Sequence, residues 1–445
     1  MDYLINLMCL ALGAGLTELT KLIVRKVVGS SEDRVHDANT SLNEKLRVAG
    51  EEHARLQEEN GAQNETIQSL AQEQQRLENT LATSKQQLAK RDEEINSLRG
   101  KIGEQTDDSQ RLQAQVKEAL KLEGQIWTQK PSQAVPEFIP LMERSIPIVS
   151  VLNLKGGVGK TTTTAHLAAT YARQGIRVLI VDLDLQGSLT SLLVTNTEIR
   201  EQDKSQKLLR HYFHASIQDP RTNIADFAFP VLNNKAHLVG TSDQLAYSEM
   251  NLTFEWLINY KSTSKHAGQL YDVRFMLRRG LHQRDRDDFP FDLVLLDCPP
   301  LINLSCVNAL AASDFVLIPV VPSRKAIERV PPLLARLRQI RQSIHSDLQI
   351  LGILATRTHY ADKFSRNETF FWDQLNKLTH LYWGTPIGML ETFIPTRVAV
   401  RDAEDNFTAG AEQKDLKLVF SKLIRELNGK FPPNVRFASH AHAMA

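Results

Sequence analysis

Cysteine is scarce in this sequence, with Cys9, Cys298 and Cys306 the only three among 445 residues. They show no C-x-x-C or other metal-ligand spacing, which argues against a disulfide framework and against a zinc site. We therefore expect a reducing, cytosolic compartment. Cys298 and Cys306 are expected to pack in a core rather than to react.

The sequence also lacks an apolar run long enough to cross a membrane alone. Residues Tyr3 to Leu16 are almost wholly apolar, but as a helix they span about 21 Å against a hydrocarbon core of about 30 Å. Extension to Val28 makes the segment amphipathic, and it shows no basic start and no cleavage site of a secretory signal. Three interpretations of residues 1–30 stay open: a self-association helix, a membrane-associated or short spanning anchor through residues 3–28, or a helix that docks on a partner.

Net charge is almost absent, because 53 basic residues oppose 52 acidic ones, giving +1. The charge is nevertheless uneven, at −1 over residues 1–37, −4 over 38–125 and +6 over 126–445. So small a basic excess is compatible with nucleic-acid binding but does not establish it. The length predicts two or three parts rather than one domain.

Proline is absent from Asn39 to Leu122 and glycine is rare there, which predicts helix. One heptad frame runs through residues 38–125 and predicts a coiled coil, of modest stability because polar residues interrupt the seam. The apolar seam positions are Leu42, Leu46, Leu56, Ile67, Leu70, Leu77, Leu81, Leu88, Ile95, Leu98, Ile102, Leu112 and Val116. A lone solvated helix or a disordered polar tract is the alternative. Pro131, Pro136 and Pro140, followed by Pro147, then predict a linker over 126–146.

A glycine-rich loop follows the β-branched apolar run that begins at Val149, and it opens into a predicted helix. Its glycines allow successive backbone N–H groups to point at an anion, and the helix N-terminus adds positive charge. Lys160 is placed to neutralise the β- and γ-phosphates of a nucleotide, and the Thr161 hydroxyl to hold Mg²⁺. The loop therefore predicts ATP and Mg²⁺ as ligands, and the alternative is a glycine turn without a ligand.

This loop departs from the usual G-x-x-x-x-G-K-[ST] pattern, since Leu154 replaces the first glycine and Lys155 follows it. The string KGGVGKTT resembles the deviant Walker A motif of the ParA/MinD family of ATPases. By that resemblance, Lys155 reaches into the nucleotide of a partner subunit; otherwise it is a solvated loop charge. The implied phosphate-binding residues are Lys155, Gly156, Gly157, Val158, Gly159, Lys160, Thr161 and Thr162.

Aspartates stand at the ends of two predicted strands, Arg177–Asp184 and Phe291–Asp297. Parallel strands bring such carboxylates to the edge of the sheet where the phosphate loop lies. The segment DLDLQG from Asp182 resembles the D-x-D-P-Q-G switch of the family, with leucine in place of proline. That resemblance implies that Asp184 orients or activates the attacking water; capping of the next helix by both acids is the alternative. Asp297 looks like a Walker B aspartate, so the implied metal residues are Thr161, Asp182 and Asp297.

Strands and helices keep alternating after Asp297, through apolar runs at 315–320 and 348–355. The predicted fold class is α/β: a P-loop NTPase with a mostly parallel, doubly wound sheet over 147–430, preceded by a long α-helical coiled coil. The resemblance to the ParA branch covers roughly 147 to 427 and places Thr356 and Pro395 where family members contact adenine. Residues 431–445 are predicted to form a C-terminal tail.

Basic residues concentrate in three groups of the C-terminal part. Several ParA relatives bind DNA nonspecifically through charges near the last helix, so each group is a candidate DNA contact or a solvated face. The groups are Arg274, Arg278, Arg279, Arg284 and Arg286; Arg336, Arg338 and Arg341; and Lys414, Lys417, Lys422 and Arg425.

The resemblance implies an ATP hydrolase with slow, partner-stimulated turnover, in which Lys155, Lys160 and Asp184 are catalytic. ATP-dependent dimerisation and hydrolysis would switch the positioning or segregation of a cargo, with nonspecific DNA binding. Expected partners are further copies of the chain, through the coil and the ATP face, and an ATPase-activating protein. The expected location is the cytoplasm, associated with the nucleoid or the inner membrane. The alternative function is a coiled-coil, membrane-tethered regulatory or scaffold subunit whose assembly is set by ATP without DNA.

Overall fold

The computed structural model describes residues 38–41, 43–45, 47–48, 63–120, 125–131, 135–259, 272–283, 289–396, 414–435 and 437. For 63–72, 107–120, 258–259 and 414 it describes the backbone only. The chain divides into two compact units, Met1–Lys117 and Glu118–Ala445. The predicted helix of residues 1–30 lies outside the described residues. No helix in the described ranges is both long and apolar enough to span a bilayer.

A long helix, α1, spans Gln63–Leu120, and the described residues 38–41, 43–45 and 47–48 are also helical. Between 73 and 106 most side chains of α1 are exposed, and the less exposed ones recur at alternating spacings of four and three. They are Leu77, Leu81, Ser84, Leu88, Arg91, Ile95, Leu98 and Ile102. This spacing follows the predicted heptad seam. The helix is thus observed, and its pairing into a coiled coil stays a prediction.

The second unit contains a sheet of eight strands in the order β3-β4-β2-β5-β1-β6-β7-β8. Neighbouring strands are parallel except β3 and β4, which are antiparallel, so the predicted mostly parallel sheet is confirmed. The strands are β1 (Ile148–Val151), β2 (Val178–Asp182), β3 (Phe229–Val231), β4 (Ala236–Val239), β5 (Leu293–Asp297), β6 (Phe315–Val320), β7 (Gln349–Thr358) and β8 (Met389–Pro395).

Helices alternate with these strands. Those of the second unit are α2 (Leu141–Arg144), α3 (Lys160–Arg173), α4 (Ser188–Leu193), α5 (Asn196–Lys204), α6 (Leu209–Gln218), α7 (Gln244–Asn259), α8 (Met276–Leu281), α9 (Leu304–Ala312), α10 (Arg324–Ser343), α11 (Arg366–Trp383) and α12 (Lys414–Asn428). Short 3₁₀ turns lie at Ile126–Thr128, Ile224–Phe227 and Val273–Phe275.

Both faces of the sheet are covered, as its continuous apolar strands predict. Within β2, Leu179 and Val181 belong to one buried cluster, with residues of α6 to α11. Val178 and Ile180 point to the other face and join a second cluster with residues of α3 and α12. This doubly wound arrangement brings the carboxyl ends of β1, β2 and β5 together at one edge.

The described part of residues 126–146, predicted as a linker, packs against the rest of the second unit. The Trp127 ring stacks on Trp256 with centroids 6.1 Å apart, and Phe138 contacts the rings of His282 and His345 at 4.6 and 4.1 Å. The described part of α1 ends at Leu120, ahead of these prolines, and the aromatic residues that follow have apolar surface to bury. The segment is therefore a packed strap rather than an extended tether.

The start of the predicted tail also packs on the second unit. Phe431 is buried, and its ring lies 5.5 Å from that of Phe315 and 5.9 Å from that of Phe437. Phe437 in turn contacts the Tyr171 ring at 5.3 Å. The folded part thus extends past the predicted boundary at residue 430, to 437 at least.

Candidate functional site

The glycine-rich loop connects β1 to α3 at the carboxyl edge of the sheet. Gly157 and Gly159 have φ angles of +70° and +84°, a left-handed conformation that residues with a Cβ adopt only with strain. Gly159 directly precedes α3, so the loop ends at the helix N-terminus, where backbone N–H groups lack helical partners. Gly156 and Gly157 are exposed, Val158 is buried and Thr162 is half-buried. This backbone has the form of a cradle for phosphate.

Lys160 is the first residue of α3 and is largely buried. Its Nζ donates to the Lys155 carbonyl oxygen at 3.4 Å, which keeps the ammonium beside the loop. The Lys155 amide donates to Asn153 Oδ1 at 2.9 Å, and Asn153 Nδ2 donates to the Pro319 carbonyl at 2.7 Å. Asn153 therefore ties the loop to β6, a role that the sequence did not reveal.

Thr161 and Asp297 meet below the loop. The Thr161 hydroxyl donates to Asp297 Oδ2 at 2.8 Å, and the Thr164 hydroxyl lies 3.2 Å from Oδ1. Burial, followed by the neighbouring carboxylate of Asp182, raises the pKa of the fully buried Asp297, while Thr161 and Lys160 oppose the shift. A carboxylate held against another carboxylate is a place where a cation is favourable.

These donors fit Mg²⁺, which prefers oxygen ligands and uses few protein carboxylates. Thr161 and Asp297 are the residues that would hold it, and the ion would neutralise charge on phosphate oxygens when bound. In keeping with such a sparse donor set, the described residues contain no group of three or more His, Cys, Asp or Glu side chains arranged around a metal position.

Asp182 is the last residue of β2 and lies opposite Asp297 in the sheet register. Its Oδ2 accepts from the Thr190 amide and hydroxyl at 2.8 and 2.7 Å, and its Oδ1 accepts from the Asp184 amide at 3.1 Å. Burial raises the pKa of Asp182 despite these hydrogen bonds. Asp182 thus anchors the turn after β2, and a part in the metal shell stays a prediction.

Asp184 is half-buried on that turn. Its Oδ1 accepts from the Gln186 amide at 3.0 Å, and its carbonyl accepts from the Gly187 amide at 2.9 Å. Gly187 has a φ of +61°, so the turn reverses sharply before α4. The second carboxylate oxygen of Asp184 has no hydrogen bond among the described residues, which leaves it able to bind water.

The two predicted adenine contacts lie at the ends of β7 and β8. The buried Thr356 hydroxyl donates to the Val158 carbonyl at 2.8 Å, so Thr356 supports the phosphate loop. Pro395 is buried and lies opposite Thr358 in the register. Contact with adenine stays a prediction for both residues.

Arg357 is a loop contact that sequence reasoning missed. Its Nη1 donates to the Gly157 carbonyl at 2.7 Å, and its backbone has a φ of +54° beside a register irregularity in β7. A left-handed arginine is strained, and its side chain holds the loop from the exposed side. No local motif marks such a residue.

We expect Arg357→Ala to be less stable than Arg357→Gly by about 1 kcal/mol, because only glycine relieves the left-handed backbone. Both variants should bind ATP a few-fold more weakly than wild type, since both lose the Gly157 hydrogen bond. Denaturant unfolding and fluorescent-nucleotide titration measure the two effects. An alanine variant at least as stable as the glycine variant would contradict the strain.

Glu249 of α7 supports the segment that follows Asp297. Its two carboxylate oxygens accept from Asn303 Nδ2 and from the Ser305 amide, both at 2.8 Å, at the start of α9. Burial raises the pKa of Glu249 to about 7, although these hydrogen bonds oppose the shift. The buried Glu249 side chain thereby links α7 to the segment that follows Asp297.

The basic residues predicted as candidate DNA contacts differ in their exposure to solvent. Arg274 and Arg278 are buried, and Arg274 pairs with Asp272 at 2.5 Å, so these two are wrong as candidate DNA contacts. They support structure instead, since the Arg274 guanidinium lies over Trp256 and that of Arg278 over Phe138. Arg284 and Arg286 lie outside the described residues. Of the predicted basic residues whose side chains the structure describes, Arg338, Lys422 and Arg425 are exposed; the side chain of Lys414 is not described.

The chain is similar to known ATPases in sequence and in fold. A family described as an AAA domain (AAA_31) matches residues 146–350. The chromosome-partitioning ATPase Soj of Thermus thermophilus is 34% identical over 216 residues, which cover 48% of this chain and 71% of that protein. The sporulation initiation inhibitor protein Soj of Bacillus subtilis is 33% identical over 209 residues, covering 47% and 72%. Apo McdA of Cyanothece has a similar fold, with a TM-score of 0.50 and 18% identity over 63% of this chain and 99% of that one.

Proposed function

The chain belongs to the ParA/MinD family of P-loop ATPases, and from this premise we propose that it is an ATP hydrolase that positions or segregates a cargo. ATP binds the glycine-rich loop with Mg²⁺, two chains pair over the bound nucleotides, and hydrolysis separates them. Turnover is slow and is stimulated by a partner protein. This agrees with the chromosome-partitioning role in the name of the Thermus relative.

The contact between Thr161 and Asp297 carries the proposal. A hydroxyl at the start of the helix after the glycine loop and an aspartate at the end of a neighbouring strand are the two protein groups that hold Mg²⁺ in P-loop NTPases. Here they lie 2.8 Å apart, beside a largely buried Lys160. Phosphoryl transfer depends mainly on such positioning and charge neutralisation, and Asp184 is available to orient the water.

A substitution at Lys155 distinguishes ATP binding by one chain from ATP-dependent pairing of two chains. Because Lys160 serves the chain's own nucleotide and Lys155 serves the partner's, Lys155→Ala should keep ATP affinity while ATP-dependent pairing weakens about tenfold or more. Pairing is measured in the full chain as an ATP-dependent change in energy transfer between chains labelled at Lys377→Cys, after Cys9→Ser. Wild-type chains that neither hydrolyse ATP nor approach one another with it would overturn the proposed function.

DNA binding is assigned to the last helix, α12. Lys422 and Arg425 are exposed on α12 and form the basic surface that we assign to it. The rival function, an ATP-set scaffold without DNA, is favoured by the burial of Arg274 and Arg278. A DNA mobility shift that requires ATP and weakens steeply with salt, and that Lys422→Gln/Arg425→Gln reduces, supports DNA binding; its absence leaves the scaffold.

A further inference from the structure

A cleft lies beside the glycine-rich loop, between the loop and α10. Its volume is about 670 Å³. Two elements distant in sequence form its walls, and Lys160, Thr161 and Asp297 are not among its lining residues. The lining residues are Leu154, Lys155, Gly156, Lys325, Glu328, Arg329 and Pro332. The cleft thus adjoins the phosphate cradle and shares Lys155 and Gly156 with it.

The cleft concentrates positive charge. Lys155, Lys325 and Arg329 line it, and its one carboxylate, Glu328, is already paired with Arg324 at 3.3 Å. In the described part of the chain, none of the three lining cations has a carboxylate within 4.0 Å. Such a group of like charges is unfavourable until an anion enters.

The pKa of Lys155 agrees with an excess of positive charge in the cleft. Burial, then Lys325, Arg329 and the nearby Arg357, lowers the pKa of Lys155. The three neighbours disfavour the charged form of Lys155, and two of them, Lys325 and Arg329, line the same cleft as Lys155. The three lining cations therefore form one group of like charges, which favours the binding of an anion.

We propose that Lys325 and Arg329 bind, together with Lys155, the triphosphate of the ATP held by a second copy of this chain. The inference rests on the proposed ATP-dependent pairing and extends it to two residues of α10. A two-fold pairing that brings Lys155 to the partner's nucleotide also brings Lys325 and Arg329 into its vicinity, because all three line one cleft. The cleft is concave and opens next to the loop, which suits a compact polyphosphate better than a DNA backbone.

The first test compares two double variants that each remove two charges from α10. Lys325→Gln/Arg329→Gln should weaken ATP-dependent pairing about tenfold or more, while the affinity of each chain for fluorescent ADP stays at the wild-type value. Arg336→Gln/Arg338→Gln, beyond the cleft, is the matched control and should pair normally. Equal pairing by the two double variants overturns the inference, as does loss of ADP affinity in the first.

The second test asks whether the residues act across the dimer. Asp184→Asn chains, which keep the cleft, are co-expressed with Lys325→Gln/Arg329→Gln chains, which keep Asp184. If the residues act on the partner's ATP, hydrolysis should return to about one quarter of the wild-type rate, because half of randomly paired dimers are mixed and each has one complete site. No recovery above the sum of the separate variants means that Lys325 and Arg329 serve their own chain, and the inference fails.

The pairing measurements distinguish failure of the proposed function from failure of the inference about the cleft. If wild-type chains do not pair with ATP, the proposed function fails, and the inference with it. If wild type and the control pair but the cleft variant pairs equally well, only the inference fails. A cleft variant that pairs normally but no longer shifts DNA would assign the cleft to DNA and would also overturn the inference.

Discussion

Lys160→Ala is expected to remove ATP binding and to lower turnover by at least about a hundredfold, because no other cation is buried in the cradle to replace it. Asp184→Asn is expected to bind ATP normally and to lose about a hundredfold or more in turnover, since a group that orients or activates water contributes on that scale. Fluorescent-nucleotide titration and phosphate release measure the two properties separately.

Asparagine is the informative replacement at 184. The Asp184 Oδ1 accepts from the Gln186 amide, and the carbonyl oxygen of asparagine preserves that turn while its amide cannot act as a base. The variant should therefore collect in the ATP-bound, paired state. Wild-type turnover in Asp184→Asn would show that another group handles the water, whereas weak ATP binding would show that Asp184 shapes the cradle.

The sheet and the phosphate site could be read from sequence because local signals determine them. Strands β2 and β5 are apolar up to their terminal aspartates and β6 is apolar throughout, and such runs bury in a sheet covered on both faces. In the loop, glycine lets the backbone surround phosphate, lysine neutralises its charge and threonine supplies a hydroxyl for Mg²⁺. The contact of Thr161 with Asp297 follows once strand and loop share one edge.

Other features depend on contacts that no local pattern reports. Arg357 reaches Gly157 across 200 residues of sequence, and its left-handed φ has no signal in neighbouring residues. Arg274 and Arg278 resemble a surface patch in sequence, yet aromatic rings and carbonyl groups of distant segments enclose them. The prolines at 131, 136 and 140 predict a linker over 126–146, whereas the residues that anchor this strap, such as Asp314, lie far along the chain.

Arg144→Ala is expected to lower the free energy of unfolding by about 3–5 kcal/mol, the usual cost of removing one partner of a buried ion pair. Arg144 belongs to the strap, its side chain is 0% exposed, and its Nη2 donates to Asp314 Oδ1 at 2.5 Å. It also donates to the carbonyl oxygens of Ile139 and Ile146. The substitution leaves Asp314 buried and unpaired at the start of β6, so urea unfolding of the second unit should shift strongly.

The same variant should show a characteristic pH dependence. Burial already raises the pKa of Asp314, with Arg144 and the Ile148 amide opposing the shift, so loss of Arg144 raises it further. A raised carboxyl pKa means that the folded state binds the proton more readily than the unfolded state. The stability deficit of Arg144→Ala against wild type should therefore be largest at pH 7 and above, and should shrink as the pH falls toward 5.

Arg144→Met/Asp314→Asn keeps an acceptor for the Ile148 amide without the charge, so it should recover part of the stability and lack this pH dependence. A deficit in Arg144→Ala that is the same at pH 5 and pH 7 would show that the loss comes from the carbonyl contacts and packing of Arg144 rather than from the stranded charge of Asp314.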